Sequence, residues 1–109
     1  MRNENVISLF GNLLTNAFEA ANKASTEKYV NVLISRVDTS LFLQIRNSHG
    51  GDFKQAGKHF LTTKHNKKEH GLGILIVKDI VAKYDGEIVF DSNEKDFIVE
   101  ISFLSILAE

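Results

Sequence analysis

The alternation of apolar and polar residues divides the chain into six ordered segments and one long polar stretch. Between residues 5 and 24, Val6, Leu9, Phe10, Leu13, Ala17 and Ala21 recur three and four apart. That spacing predicts a helix with one buried face. The polar run Ser25-Thr26-Glu27-Lys28 ends it. Residues 29–37 (YVNVLISRV) and 41–45 (LFLQI) are dense in β-branched and large apolar side chains, and Asp38-Thr39-Ser40 between them suits a hairpin turn. Residues 73–84 (GILIVKDIVAKY) form a second helical pattern, with Ile74, Val77, Ile80, Val81 and Tyr84 on its core side and Asp85-Gly86 as its stop. A closing hairpin follows, with strands over 87–90 and 97–103 and a turn over 91–95. Phe97, Val99, Ile101 and Phe103 alternate there with Glu100 and Ser102, the signature of a half-solvated sheet.

The remaining stretch, residues 47–70, is polar and holds only Phe53, Phe60 and Leu61 as apolar anchors. Connections of that length in a compact domain are usually functional, so residues 53–70 are expected to form a lid, mobile until a ligand binds. The order helix, two strands, long loop, helix, two strands predicts an α+β fold. The architecture expected is a two-layer sandwich, with helices on one face of a mixed, mostly antiparallel sheet.

Composition narrows the classes. A chain of 109 residues, 43% hydrophobic and 25% charged, fits a single domain over 1–109 and excludes a multidomain enzyme or a disordered tail. A formal net charge of -1 gives no support to nucleic-acid binding. Without cysteine there is no disulfide, thiol nucleophile or cysteine zinc site. No apolar run approaches the roughly 18 residues of a membrane span, and no signal peptide opens the chain, so a cytosolic domain making no membrane contact is expected.

Three stretches can carry chemistry. In NLLTNAFEA (12–20), Asn12 and Asn16 lie one turn apart on a face away from Leu13 and Ala17. Two asparagines on one turn weaken a helix, but their carboxamide oxygens can ligate a hard cation such as Mg²⁺. A solvated helix face is the plainer alternative. In EHGLGILIV (69–77), two glycines open an apolar helix, where unpaired N–H groups and the helix dipole suit phosphate; an ordinary loop-to-helix junction reads the same way. In FLTTKHNKKEH (60–70), Thr62, Thr63 and Lys64 belong to a cationic, hydroxyl-bearing run that suits polyphosphate or is simply solvated.

Taken in order, these stretches resemble the GHKL (Bergerat) ATP-binding fold of sensor histidine kinases, gyrase-type topoisomerases and MutL proteins. NLLTNAFEA looks like the N-box, HFLTTK like the F-box, and HGLGILIVKDIVAKYDG like the G2-box with its helix. IRNSHGG stands where the G1-box belongs. The form of the N-box, with Asn47-Ser48 in place of the G1 aspartate, is most similar to quorum- and peptide-sensing kinases paired with LytTR-type regulators.

The resemblance implies ATP and Mg²⁺ as cofactors. Asn16 matches the Mg²⁺ ligand, and Asn12 the polar position that is a hydrolytic glutamate in the ATPase branches. Both are therefore the implied catalytic residues, for phosphoryl transfer rather than hydrolysis. Asn47 matches the residue that bonds the adenine amine. His70, Gly71, Leu72 and Gly73 match the G2 segment around the phosphates, and Thr62, Thr63 and Lys64 match the lid. Two departures stand out: Gly50 and Gly51 follow Asn47 at an unusual spacing, and the basic residue three after Asn16 is here Glu19.

An asparagine at 47 both donates and accepts, so an amide flip is expected to admit guanine and weaken the preference for ATP over GTP. The implied function is the catalytic domain of a bacterial sensor histidine kinase. It would transfer the ATP γ-phosphoryl group to a histidine on a dimerisation and phosphoacceptor domain absent from this fragment, with a response regulator downstream. The alternatives are an anti-sigma-type serine kinase and a degenerate, non-catalytic binding module.

Overall fold

Helical spacing places Leu9, Leu13, Ala17, Ala20 and Ala21 on one side of α1 (Asn3–Asn22), and all five are buried. The computed structural model describes residues 1–50 and 67–107, with side chains from Gly73 onward in the second stretch. After α1 come β1 (Val30–Val37), β2 (Ser40–Ser48), α2 (Lys67–Lys83), β3 (Glu87–Ser92) and β4 (Asp96–Phe103). The strands form one sheet in the order β1-β2-β4-β3, and every pairing among them is antiparallel.

Period-two alternation sets which face of the sheet is covered. Leu43 stands opposite Ile101, Ile45 opposite Val99, and Phe90 opposite Val99 from the other side. These residues join Leu9, Leu13, Ile74, Val77, Ile80, Val81, Phe97 and Phe103 in one core between the helices and the sheet. Burying a side chain of this size contributes about 1.5–3 kcal/mol. α1 lies against α2 and over β2, and α2 reaches β3. β1 is therefore left at the edge. Val32 and Ile34 share the covered side of the sheet by register with Ile45 and Leu43, yet they are 46% and 55% exposed. The β-branched composition of this segment fixed its conformation and not its burial.

Element boundaries differ from the sequence expectation in informative places. α2 begins at Lys67, six residues before the expected start, so Gly71 and Gly73 lie within the helix rather than at its opening. β2 runs on to Ser48 and takes Asn47 out of the expected loop. Val6, assigned to the core by periodicity, is 37% exposed, because its position lies too near the N-terminal end of the packed face. Asp38 and Thr39 alone close the first hairpin, with Asp38 at φ 55 in the left-handed region. The stop after α2 is a Schellman arrangement: Gly86 N–H donates to the Val81 carbonyl at 2.8 Å and Asp85 N–H to that of Ala82 at 3.0 Å. Asp85, at φ 58, takes the left-handed position usually given to glycine. The ends of the two helices are tied together as well. The Tyr84 hydroxyl accepts from the Arg2 backbone N–H at 3.1 Å and from Asn5 Nδ2. The Arg2 N–H in particular favours the phenolate and holds Tyr84 below the ordinary tyrosine range.

Candidate functional site

Asn12 and Asn16 project from the side of α1 that meets α2, where Gly73 faces them. A Cβ on Gly73 would stand 3.2 Å from Asn12 Oδ1 and 3.6 and 3.7 Å from Asn16 Oδ1 and Nδ2. Two sequence motifs 60 residues apart thus meet across the helix pair. The two amides are not equivalent. Asn12 Nδ2 donates to the Ser8 carbonyl at 2.8 Å, which holds the side chain against its own helix. Asn16 Nδ2 is buried and has no hydrogen-bond partner among the described residues. An unsatisfied buried donor costs about 1–3 kcal/mol, so natural folds rarely leave one without a function. An amide whose nitrogen has no partner among the described residues, beside a helix glycine, is suited to a ligand's oxygen through that nitrogen, or to a cation through its oxygen after a flip.

Asn47 sits on the covered face of β2, between Val30 of β1 and Phe97 of β4, and is 1% exposed. Its Nδ2 donates to the Ser48 carbonyl at 2.8 Å. The segment after it is anchored by contacts that sequence reasoning missed. His49 is buried, and its Nε2 donates to the Asn93 carbonyl at 2.7 Å, which joins the end of β2 to the turn between β3 and β4. Asn93 Oδ1 in turn accepts from the backbone of Lys95 and Asp96, both at 2.8 Å. Gly50 explains its own identity: a Cβ there would stand 2.5 Å from the Lys23 carbonyl oxygen. The G1-like glycine is spent on close approach to the end of α1. A polar strand end followed by glycine was the available signal for this clamp, but nothing local named Asn93 as its partner.

Of the remaining expected site residues, Thr62, Thr63 and Lys64 lie outside the described residues, as does the expected lid up to Lys67. His70, Gly71 and Leu72 have their backbone in the first turns of α2. The structure therefore brings together Asn12, Asn16 and Gly73, and it places Asn47 beneath the helix layer.

Residues 1–104 match the family model described as GHKL domain. The chain belongs to the GHKL domain family. The fold agrees. The catalytic domain of histidine kinase ThkA superposes with a TM-score of 0.67 at 20% identity, over 94% of this chain and 67% of that one. Acinetobacter baumannii histidine kinase AdeS gives 0.63 at 18% identity, over 92% and 45%. The histidine kinase domain of a blue-light activated kinase from Erythrobacter litoralis gives 0.68 at 19% identity, over 95% and 50%. This GHKL domain thus spans about half to two thirds of those chains. A search of curated proteins found no match. Among the described residues, no helix is long and apolar enough to cross a membrane.

The geometry at Gly73 gives a prediction with opposite signs. Gly73→Ala replaces glycine inside a helix, a gain of up to about 1 kcal/mol. The new methyl asks Asn12 to yield only a few tenths of an ångström. The empty domain should melt higher, while the methyl narrows the approach to both asparagines. Thermal melts and nucleotide titration of the variant check this; equal or better nucleotide affinity would show that the ligand does not pass over Gly73.

Proposed function

We propose that this GHKL domain binds Mg-ATP between α1 and α2 and is the catalytic domain of a two-component sensor histidine kinase. Its phosphoryl acceptor would be a histidine on a separate dimerisation and phosphoacceptor domain, with a response regulator receiving the group afterwards on the cytoplasmic side. The observation that supports the reading is the buried Nδ2 of Asn16, which has no partner among the described residues and faces Gly73.

The residues present fit the cofactor. Asn16 would hold Mg²⁺, which when bound neutralises polyphosphate charge and draws its other ligands from water and phosphate. Asn12 is an amide and not a carboxylate, so it has no basic oxygen to take a proton from water. That favours transfer to a positioned acceptor over hydrolysis. Asn47 offers a buried polar group for the base. Gly73 keeps the space above the asparagines clear. The domain's contribution is placement and charge compensation, which is where most of the catalysis in phosphoryl transfer lies.

Calorimetric titration of the whole chain with a non-hydrolysable ATP analogue, with and without Mg²⁺, tests the reading. Metal-dependent binding is the expected result. Absence of binding in both conditions would refute it and favour the non-catalytic module. The acceptor is tested by supplying a phosphoacceptor domain in trans and assaying the product in acid, where phosphohistidine is lost and phosphoserine survives.

A further inference from the structure

β1 is an eight-residue strand at the edge of the sheet, and among the described residues it carries none of the devices that keep such an edge from pairing. Its ladder with β2 runs without a bulge from Val30 to Val37. The chain has no proline, and Arg36 is the strand's single charge. Arg36 Nε donates to the Asp38 carbonyl at 2.8 Å, which draws the guanidinium back toward its own hairpin turn.

The phase of the ladder fixes what the edge offers. Ser48 N–H donates to the Tyr29 carbonyl at 3.1 Å, and the ladder closes at Val37 opposite Ser40. Bonded and non-bonded pairs alternate in an antiparallel ladder, so the odd-numbered residues of β1 spend their backbone groups on β2. Val30, Val32, Ile34 and Arg36 turn their N–H and C=O outward. The side chains about Leu33 run nearly as a mirror image. Val32 and Ile34 flank it, then Asn31 and Ser35, and only Val30 and Arg36 differ in polarity.

The helix layer continues the same edge. Asn12 and Asn16 mark the flank of α1 that meets α2. Ile7, Leu14 and Phe18, seven and four apart, lie on the opposite flank, which overlooks β1. Ile7 is 73% exposed and Phe18 57%. With Val32 and Ile34 they make one apolar trough along the free edge.

We propose that β1 pairs with β1 of a second copy of this chain, antiparallel, about a two-fold axis through Leu33 and perpendicular to the sheet. Val32 then stands opposite Ile34, Asn31 opposite Ser35 and Val30 opposite Arg36, so no like charges meet. The outward backbone groups bond to one another, and two four-stranded sheets become one of eight. Both helix layers lie on the same side. The two β2 strands are then three strand spacings apart, about 14 Å. The α1 helices above them are set wider than the roughly 8–10 Å of directly packed helices. Ile7, Leu14 and Phe18 from both copies fill that difference. A stable interface takes about 800 Å² per partner. Side chains of this size offer roughly 100 Å² each, so Ile7, Phe18, Val32, Leu33 and Ile34 supply more than half of it. A lone extended peptide would satisfy the strand and leave the α1 flank bare; a second copy covers both. The flank bearing Asn12 and Asn16 stays open, so the pairing is independent of the nucleotide reading.

Sedimentation equilibrium of the whole chain without nucleotide should show monomer and dimer in exchange. Leu33→Lys sets two ammonium groups against each other at the axis and should weaken the dimer by about tenfold. A cysteine trap tests the register. Leu33→Cys gives the chain its only thiol. Facing residues in a non-bonded antiparallel pair have Cα atoms about 4.5 Å apart, within disulfide reach. Oxidation should therefore link Leu33→Cys into a covalent dimer. Asn31→Cys, which would face Ser35 of the second copy, should link about tenfold more slowly. Positions 31 and 33 are both exposed, so thermal melts of the reduced variants should match the parent. A parent that stays monomeric at every concentration, or that grows past the dimer, would overturn the proposal. Equal crosslinking at 31 and 33 would overturn it as well.

Discussion

Phe103→Ala is expected to cost about 3–5 kcal/mol, close to the whole stability of many domains of this size. Phe103 ends β4, is 1% exposed and stands opposite Leu41 in the ladder. Its ring also fills the space that a side chain at Gly86 would need. A Cβ at Gly86 would lie 2.7 Å from Phe103 Cδ1, 2.8 Å from Cε1 and 2.8 Å from the Ser102 carbonyl oxygen. Gly86→Ala alone should therefore destabilise by about 1–3 kcal/mol through overpacking. In the Phe103→Ala background the ring is gone and only the Ser102 carbonyl still resists, so the same change should cost less. Chemical denaturation of the four proteins should give a coupling of roughly 1 kcal/mol. Additive costs would show that Gly86 is glycine for its backbone and not for this contact.

That pair also shows what was legible in the sequence. Asp85-Gly86 was readable as a helix stop, and a stop is found there. The division of labour was not readable, because the dipeptide is compatible with either residue taking the left-handed position. Asp85 takes it at φ 58, and Gly86 is required by a ring contributed from residue 103. Local propensity identifies a turn; only tertiary contact says which of its residues is under constraint.

The same distinction separates the accurate element assignments from the inaccurate ones. Both hairpins and the buried faces of the two helices followed from periodicity, since Leu9, Leu13, Ile74, Val77 and the odd-numbered residues of β4 repeat strictly. The start of α2 did not follow. Two glycines in one helical turn argue for a loop by propensity, but α2 continues back through them to Lys67. Gly73 stands there facing Asn12 and Asn16, to which a Cβ would come within 3.2 Å and 3.6 Å. The apolar alternation stops at Ile45, which by itself points to a loop at Asn47. Its strand position is set by pairing with Val30 and Phe97, neither of which is visible from its neighbours in sequence.

Of the candidate site, Asn12, Asn16 and Asn47 were named through the family resemblance, and the placing of Asn12 and Asn16 on one helix face was legible through spacing. The state of each amide was not. Sequence cannot say that Asn12 Nδ2 is held by the Ser8 carbonyl, that Asn47 Nδ2 is held by the Ser48 carbonyl, and that Asn16 Nδ2 finds no partner among the described residues. That contrast singles out Asn16 among three otherwise similar residues. It also means the three should respond differently to substitution.

Asn16→Ala should remove the Mg²⁺-dependent part of nucleotide binding, a loss of roughly tenfold or more in affinity. The same change should leave the empty domain at least as stable as the parent. Alanine is the better helix former by a few tenths of a kcal/mol, and the substitution deletes a buried donor that has no partner among the described residues. A residue held only for packing would behave in the opposite way, since its removal from a helix interface opens a cavity and lowers the melting temperature. Calorimetric titrations in Mg²⁺ and in chelator, paired with thermal melts of the empty protein, separate the two cases. Reduced affinity in Mg²⁺, unchanged residual affinity in chelator and an equal or higher melting temperature would assign Asn16 to the ligand. Parent-like binding in Mg²⁺ would show that the orphaned amide is not the metal's anchor.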